Sequence, residues 1–167
     1  MRQIILLPAL LIAVLLMATA HIRAAEPIIV GVAEIDYHDT SGEMKDQQAA
    51  HAERAERFAE ALRKDLGGSG QYRIVTLDCG KDPCSVESQI PEDLMAAAKK
   101  AGARLLVYGG VHKLSTLVQN MKAQVVDVEG DRLVFERLIT FRGDDDGSWE
   151  RAERFLAEEM LEEKLAK

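Results

Sequence analysis

The sequence predicts a single α/β domain built on a mixed five-stranded sheet, with helices packed on it in the manner of an α+β sandwich. Short apolar segments alternate with two segments of helical periodicity in the first part of the chain, which is typical of parallel β-α-β crossovers. Three strand-like segments then follow without an intervening helix, and they should pair antiparallel. A last helical segment completes the order β-α-β-α-β-β-β-α.

The first half of the predicted domain contains two strands and two helices. Residues 28–33 are continuously apolar, as in a strand that is buried on both faces. Residues 47–66 predict a helix with one buried stripe. That stripe consists of Ala55, Phe58, Ala59, Leu62 and Leu66. A second strand is expected over 72–77, and Pro91 begins a short second helix that Gly102 ends.

The second half, over residues 104–149, is predicted to supply three strands and the start of the last helix. The Gly-Gly pair at 109–110 interrupts the first strand and predicts a bulge or a close approach by another backbone. The segments 116–128 and 133–141 follow, joined by a hairpin connection.

The last helix should begin at a capping side chain, either Ser148 or Asp146, because short oxygen-bearing side chains accept hydrogen bonds from the first turn. Its inward face is expected to carry Trp149, Ala152, Phe155, Leu156, Met160 and Leu161. Trp149 would therefore anchor the helix in the core and would not form a binding surface.

The first 25 residues predict a secretory signal peptide. Arg2 supplies a positive charge, residues 4–20 are largely apolar, and small residues at 18–20 suit cleavage, with a second option at 24–25. An uncleaved membrane anchor is the alternative, although a spanning helix needs about 20 apolar residues and this run is shorter. Cleavage near Ala20 to Ala25 would leave one secreted domain over 26–167, in the periplasm or outside the cell, with membrane contact only before cleavage.

Charge argues against several classes of partner. The 167 residues carry a net charge of −7, and removing the first 25 residues, which include Arg2 and Arg23 but no acidic residue, changes it to −9. Such an acidic domain repels nucleic acid and anionic lipid. Aromatic residues make up only 5% of the chain, so no stacking platform for bases or sugars is visible.

The two cysteines, Cys79 and Cys84, predict a disulfide, because an exported chain meets an oxidising compartment. The ring is small, so on the loop-entropy model the bond would contribute only about 2 kcal/mol and would chiefly fix a local loop. Four residues separate the cysteines, which does not match the C-x-x-C spacing of redox motifs. Partner residues for haem or zinc are missing, and we predict no cofactor.

His112, Lys113, Ser115 and Thr116 form a polar group at a predicted strand turn. They could hold an anionic ligand or a partner, or they could satisfy backbone groups and solvent, and the second interpretation carries more weight. Their spacing with other residues does not pair a nucleophile with a base, so we predict that the protein is not an enzyme.

Three consecutive aspartates, 144–146, follow Arg142. In a calcium-loop alignment Asp144, Asp146 and Glu153 fall at ligand positions, but Arg142 occupies the first one and no helix precedes the loop. The acidic start of a helix is the favoured interpretation. We also expect Arg142 to pair with one of the aspartates and fix the turn.

A metal site is a weaker alternative at the carboxyl ends of the strands. His38 and His112 could meet at one end of the sheet and bind a metal together with Asp36 or Asp39. No metal ligand is assigned on this basis.

The chain resembles a family of small predicted secreted proteins of Gram-negative bacteria, the domain of unknown function 2380. The matching segments are V-A-E-I-D at 32–36 with D-T-S-G at 39–42, R-F-A-E-A-L-R at 57–63, the Cys79/Cys84 loop, G-A-R-L-L-V-Y-G-G-V-H-K-L-S-T-L-V-Q at 102–119, and F-R-G-D-D-D at 141–146 before Trp149. Gly147 and Ser148 replace the acidic and small residues that the family pattern has before the tryptophan.

The resemblance implies a fold similar to the amino-terminal domain of TolB and its periplasmic relatives, which are non-enzymatic and work through protein contacts. Related families occur beside periplasmic quinoprotein alcohol dehydrogenases. We therefore expect a non-catalytic binding module that contacts a periplasmic or envelope protein. A small-molecule or metal-binding accessory factor of a periplasmic enzyme, for example a quinoprotein, is the alternative. These are analogies of fold and context, not of a site.

Overall fold

A computed structural model describes residues 26–163 and residue 165. The predicted signal peptide, residues 1–25, lies outside the described residues. The strands are β1 (Ile28–Asp39), β2 (Tyr72–Val75), β3 (Leu105–Lys113), β4 (Val118–Asp127) and β5 (Arg132–Arg142). The described helices are α1 (Gln48–Gly68), α2 (Pro91–Lys100) and α3 (Asp146–Glu163).

The five strands form one mixed sheet in the order β2-β1-β3-β4-β5. β1 pairs parallel with β2 and β3, because helical crossovers connect these strands, whereas β3, β4 and β5 pair antiparallel through hairpins. This arrangement confirms the predicted mixed sheet and the predicted order of its elements.

The two faces of the sheet are covered unequally. One face packs against α1 and α3 and forms the main core, which includes Val32, Leu62, Val107 and Leu156. The other face packs against α2 and the loop that follows β2, in a smaller core around Ala33, Leu94 and Leu106. Residues of β3 alternate between the two cores, as the period of a strand requires.

The glycine pair in β3 confirms a close approach between two backbones. A Cβ atom at Gly109 would lie 2.1 Å from the carbonyl oxygen of Lys122 on β4. The strand itself continues through this position to Lys113, so the pair does not end it.

The start and the inward face of α3 differ from the prediction. The side chain of Asp145 accepts a hydrogen bond from the Ser148 backbone N–H at 2.8 Å, and Ser148 Oγ accepts one from the Asp145 N–H at 3.3 Å. Asp145 is therefore the capping residue, so the expected cap at Ser148 or Asp146 is wrong, although Ser148 completes the reciprocal pair. Phe155 is exposed, and the buried position next to Ala152 belongs to Glu153.

Candidate functional site

The carboxyl ends of β1 and β3 lie side by side because the two strands run parallel, with Asp39 opposite Lys113. The loop after β1 and the turn between β3 and β4 therefore meet at one end of the sheet. The chain returns to the same end after β5, where the Gly143 N–H donates to the Leu117 carbonyl at 2.9 Å. In open α/β sheets this end usually carries the functional groups.

Lys113 is the centre of a buried charge network at this end. Its side chain has 0% exposure, and its ammonium donates to Asp144 Oδ2 at 2.5 Å and to the carboxylate of Glu43. Asp39 Oδ2 lies 4.0 Å away. A buried ammonium requires such partners, because leaving it uncompensated in the interior costs several kcal/mol.

Asp144 connects Lys113 to helix α1. Its Oδ1 atom lies 2.7 Å from His51 Nε2 and 3.0 Å from Arg54 Nη1. Since a carboxylate only accepts hydrogen bonds, His51 donates through Nε2. Gln119 donates to the Gly143 carbonyl at 2.7 Å and supports the turn that carries Asp144. Three segments distant in sequence are thus held together by one carboxylate.

A second carboxylate, Asp146, contacts the same helix. It accepts hydrogen bonds from Arg54 Nε at 2.9 Å and pairs with Arg57 Nη2 at 3.0 Å. Arg142 is exposed, and no ion pair of the described residues includes it. The expected pairing of Arg142 with the aspartates is wrong, because its side chain projects from the opposite face of β5 to the one that α1 covers.

The network rests on a group of aromatic side chains. The rings of Tyr37 and His51 stack with centroids 4.3 Å apart, and the ring of Trp149 lies 5.9 Å from that of Tyr37. Trp149 is buried, as expected of a core anchor, and Phe58 and Phe141 meet its ring edge to face. Aromatic packing thus fixes the orientation of His51 toward Asp144.

The pKa shifts of Asp144, Lys113 and Glu43 all favour the charged form of the group. Burial raises the pKa of Asp144, but hydrogen bonds from Lys113 and His51 outweigh it and hold that pKa below its ordinary value. Burial lowers the pKa of Lys113, yet hydrogen bonds to Asp144 and Glu43 raise it overall. The hydrogen bond from Lys113 also lowers the pKa of Glu43.

The other residues of the predicted polar group are arranged around this network. His112 points to the opposite face of the sheet, where its Nε2 lies 2.7 Å from Thr40 Oγ1. Ser115 Oγ accepts a hydrogen bond from the Val118 N–H at 3.2 Å, and Thr116 is exposed in the turn. Lys113 is paired internally, so it presents no free positive charge to an anionic ligand.

Neither of the two metal sites considered from the sequence has a set of ligands in the described residues. The rings of His38 and His112 do meet, with centroids 5.2 Å apart. Within residues 26–163, however, no group of three or more His, Cys, Asp or Glu side chains is arranged to hold a metal ion. The aspartates considered for calcium are directed at cations and at the helix cap instead.

The predicted disulfide is confirmed. Cys79 and Cys84 are bonded, with their Cα atoms 5.4 Å apart. The loop they close is attached to β1, because the Glu34 N–H donates to the Cys84 carbonyl at 2.8 Å. Asp36 Oδ2 accepts hydrogen bonds from the backbone of Val86 and Glu87 at 3.1 and 3.2 Å. The disulfide thus holds a loop against the edge of the sheet.

Sequence reasoning missed several members of the network: Tyr37, Glu43, His51, Arg54, Arg57 and Gln119. A signal for His51 was available, because it lies four residues before Ala55 on the apolar stripe of α1. Glu43 lies in a polar loop without periodicity, so nothing in the sequence distinguishes it from a solvated residue.

The family described as protein of unknown function (DUF2380) matches residues 29–161. This span contains the whole network and nearly all of the sheet. The chain belongs to this family. The match confirms the resemblance drawn from the sequence motifs. No curated protein matches the sequence.

Several solved structures share the fold. The hypothetical protein CT253 from Chlamydia trachomatis has a TM-score of 0.54 and 12% identity, over 84% of this chain and 99% of that one. The PelC dodecamer from Paraburkholderia phytofirmans has a TM-score of 0.51 and 14% identity, over 86% and 91%. At these identities the likeness concerns the fold alone.

TolB from Acinetobacter baumannii is also similar, with a TM-score of 0.51 and 12% identity. The match covers 83% of this chain but only 28% of TolB, so the chain corresponds to one part of that protein. Every helix of the described residues is too short or too polar to traverse a lipid bilayer.

Proposed function

We propose that the protein is a non-catalytic binding module that contacts a protein of the cell envelope through the end of the sheet at β1 and β3. The observation that carries this proposal is a group of three exposed apolar side chains there, the strand-end tip, consisting of Met44, Leu114 and Leu117. Met44 is fully exposed, and Leu114 and Leu117 are 43% and 61% exposed. Clustered apolar side chains on a surface are typical of protein interfaces.

The buried network holds the strand-end tip in place. Lys113 directly precedes Leu114 and binds Glu43, which directly precedes Met44. Leu117 is fixed through its carbonyl by the Gly143 N–H. A surface that is ordered before binding loses little conformational entropy in the complex, which favours affinity.

The arrangement of the charged groups supports a binding role over catalysis. A general acid, base or nucleophile must reach a substrate. Lys113 and Arg54 instead both pair with Asp144, and these hydrogen bonds tie elements of the fold together. The charges therefore supply rigidity beneath an apolar contact surface.

An envelope location is supported by two observations. The Cys79–Cys84 disulfide suits an oxidising compartment outside the cytoplasm. The apolar segment before residue 26 fits a signal for export. The partner would accordingly be a periplasmic or membrane-attached protein.

Site-specific photo-crosslinking tests the proposal. The full chain is produced in a Gram-negative host with a benzophenone amino acid at Leu117, and a matched version carries it at Phe155, an exposed apolar position on α3. We expect a discrete protein adduct from position 117 and none from position 155. The purified partner should bind the Leu114→Ser/Leu117→Ser variant roughly tenfold more weakly than the unaltered protein.

Three results would overturn the proposal. They are equal adducts at both positions, adducts with lipid alone, and unchanged affinity of the double variant for the captured protein. Circular dichroism of the double variant serves as the folding control, and we expect no change because both leucines are exposed.

A further inference from the structure

Strand β1 has a free edge along its second half. β2 pairs only with residues 28–31, where Gly31 is opposite Val75, whereas β3 accompanies β1 as far as Asp39. Within the described residues, no strand lies beside residues 35–39 on the side away from β3. Such an edge offers backbone N–H and C=O groups to another extended chain.

The backbone groups of Tyr37 point to this free edge. The Thr40 N–H donates to the Lys113 carbonyl on β3 at 2.9 Å. Successive residues of a strand direct their backbone groups to opposite sides in the plane of the sheet, so those of Tyr37 and Asp39 face away from β3. Tyr37 thus lies in the position of a residue that pairs with an added strand.

The neighbouring backbone groups on this side are already occupied. Arg63 donates to the carbonyls of Val32 and Ala33 at 3.1 and 3.4 Å, and the disulfide loop accepts a hydrogen bond from the Glu34 N–H. The backbone hydrogen-bonding groups of β1 just beyond the end of β2 are thus already satisfied by a side chain and by a loop. The free part begins at Ile35.

A groove of about 570 Å³ runs along this edge. Its floor is formed by residues 34–37 of β1 and one wall by α1. The other wall is formed by Pro83 in the disulfide loop and by Ser85 and Ser88 in the segment that follows it. Both walls are anchored, the first by core packing and the second by the hydrogen bonds that the Val86 and Glu87 N–H groups donate to Asp36. The groove therefore has a fixed shape and follows the direction that an added strand would take.

The charge of the groove is strongly negative. Its lining contains the carboxylates of Glu34, Asp36, Glu56 and Glu60 and one guanidinium, that of Arg63. Arg63 is engaged by backbone carbonyls and not by these carboxylates. Among the described residues, no salt bridge includes Glu34, Glu56 or Glu60. An anionic chain would be repelled here, and a cationic one attracted.

We propose that this groove binds an extended, lysine- or arginine-rich peptide segment, which adds to β1 as a strand at Ile35–Tyr37. Alternate side chains of an added strand point to opposite faces of the sheet. Basic side chains on one face would meet Glu56 and Glu60 of α1, and those on the other would meet Asp36. The groove is separate from the strand-end tip, so this inference stands independently of the proposed function.

Calorimetry with defined peptides tests the inference. The probe is a short blocked peptide in which lysine and valine alternate, and a glutamate–valine peptide is the charge control. A lysine–valine peptide with N-methyl groups on alternate residues keeps the charge but removes the backbone donors. We expect only the unmodified lysine peptide to bind, and its affinity should fall as salt is added.

A pair of matched variants tests the location. Glu56→Gln/Glu60→Gln removes from the groove two carboxylates that are four residues apart in the sequence. Glu158→Gln/Glu162→Gln removes two exposed carboxylates with the same spacing from α3. The groove variant should bind the lysine peptide roughly fivefold more weakly, while the α3 variant should match the unaltered protein.

The inference is overturned if the lysine peptide fails to bind at millimolar concentration. Equal weakening by both variants would also overturn it, because it would show attraction to the net charge alone. Equal affinity of the N-methylated peptide would exclude strand addition. The Leu114→Ser/Leu117→Ser variant, which alters the strand-end tip, should bind the lysine peptide with unchanged affinity.

Discussion

Asp144 and Glu153 are two largely buried carboxylates that face helix α1. They differ in whether cationic partners surround them. Asp144, 12% exposed, contacts Lys113, His51 and Arg54. Glu153, 4% exposed, has one carboxylate oxygen, Oε1, that is buried without a hydrogen-bond partner in the described chain. The comparison shows that the partners of a buried carboxylate, and not its burial, decide whether it stays ionised.

The pKa values of the two groups diverge accordingly. Burial raises both, but at Asp144 the hydrogen bonds from Lys113 and His51 reverse the effect. At Glu153 the negative charge of Asp65 adds to burial, and the pKa rises to about 7. One carboxylate therefore stabilises the fold as an anion, and the other is tolerated best when it is protonated.

Lys113→Met should have the largest effect, because it leaves Asp144 and Glu43 facing each other without their shared cation. We expect a loss of about 3 kcal/mol in the free energy of unfolding, measured by urea denaturation. Lys100→Met is the matched control, since Lys100 and Asp78 form an exposed pair at 2.8 Å. If the urea midpoint of Lys113→Met shifted as little as that of Lys100→Met, the conclusion that Lys113 is part of a buried charge network would be wrong.

Asp144→Asn should cost about 2 kcal/mol at pH 7, because it weakens the links to Lys113 and α1. The pKa of Asp144 is lower in the folded than in the unfolded state, so its contribution is present above the unfolded pKa of about 4 and is lost as pH falls through the folded pKa. The difference between variant and unaltered protein should shrink in acid. A difference that stayed constant from pH 7 to pH 2 would be inconsistent with this assignment.

Glu153→Gln should stabilise the protein by between about 1 and 2 kcal/mol at pH 8. The folded pKa is raised, so the contribution of Glu153 is fully present below the unfolded pKa and is lost as pH rises toward about 7. At pH 4 the variant and the unaltered protein should therefore be nearly equal. Thermal unfolding at both pH values measures this difference in stability. An equal gain in stability at pH 4 would contradict the explanation.

Ser148→Ala should have the smallest effect, a loss of about 1 kcal/mol, because it removes one half of the reciprocal cap of α3. The cap joins the turn of Asp144 to the helix of Glu153. Because a serine hydroxyl does not ionise in this range, the loss should be independent of pH between 4 and 8. A pH-dependent loss would instead mean that the cap sets the ionisation of one of the two carboxylates.

The fold was predictable from periodicity, since the apolar run at 28–33 and the helical stripe of α1 lie in the core as expected. The network was not, because its contacts join residues far apart in sequence, such as Lys113 to Glu43, and charged residues in loops and on helices otherwise look solvated. Glu153 could have been found, as it follows Trp149 by one helical turn on the buried stripe. The error over Arg142 arose from assuming that neighbours in sequence form pairs.

The bulge in β1, between Val32 and Ile35, reverses which residues face α1. Before it, even-numbered side chains such as Val32 enter the main core; after it, odd-numbered ones such as Tyr37 do. The strand is thus composed of two halves in opposite phase. If the same residues formed a regular strand without the bulge, Asp36 would turn inward and Tyr37 would turn toward the disulfide loop. The bulge therefore decides which side chains of the second half of β1 enter the core.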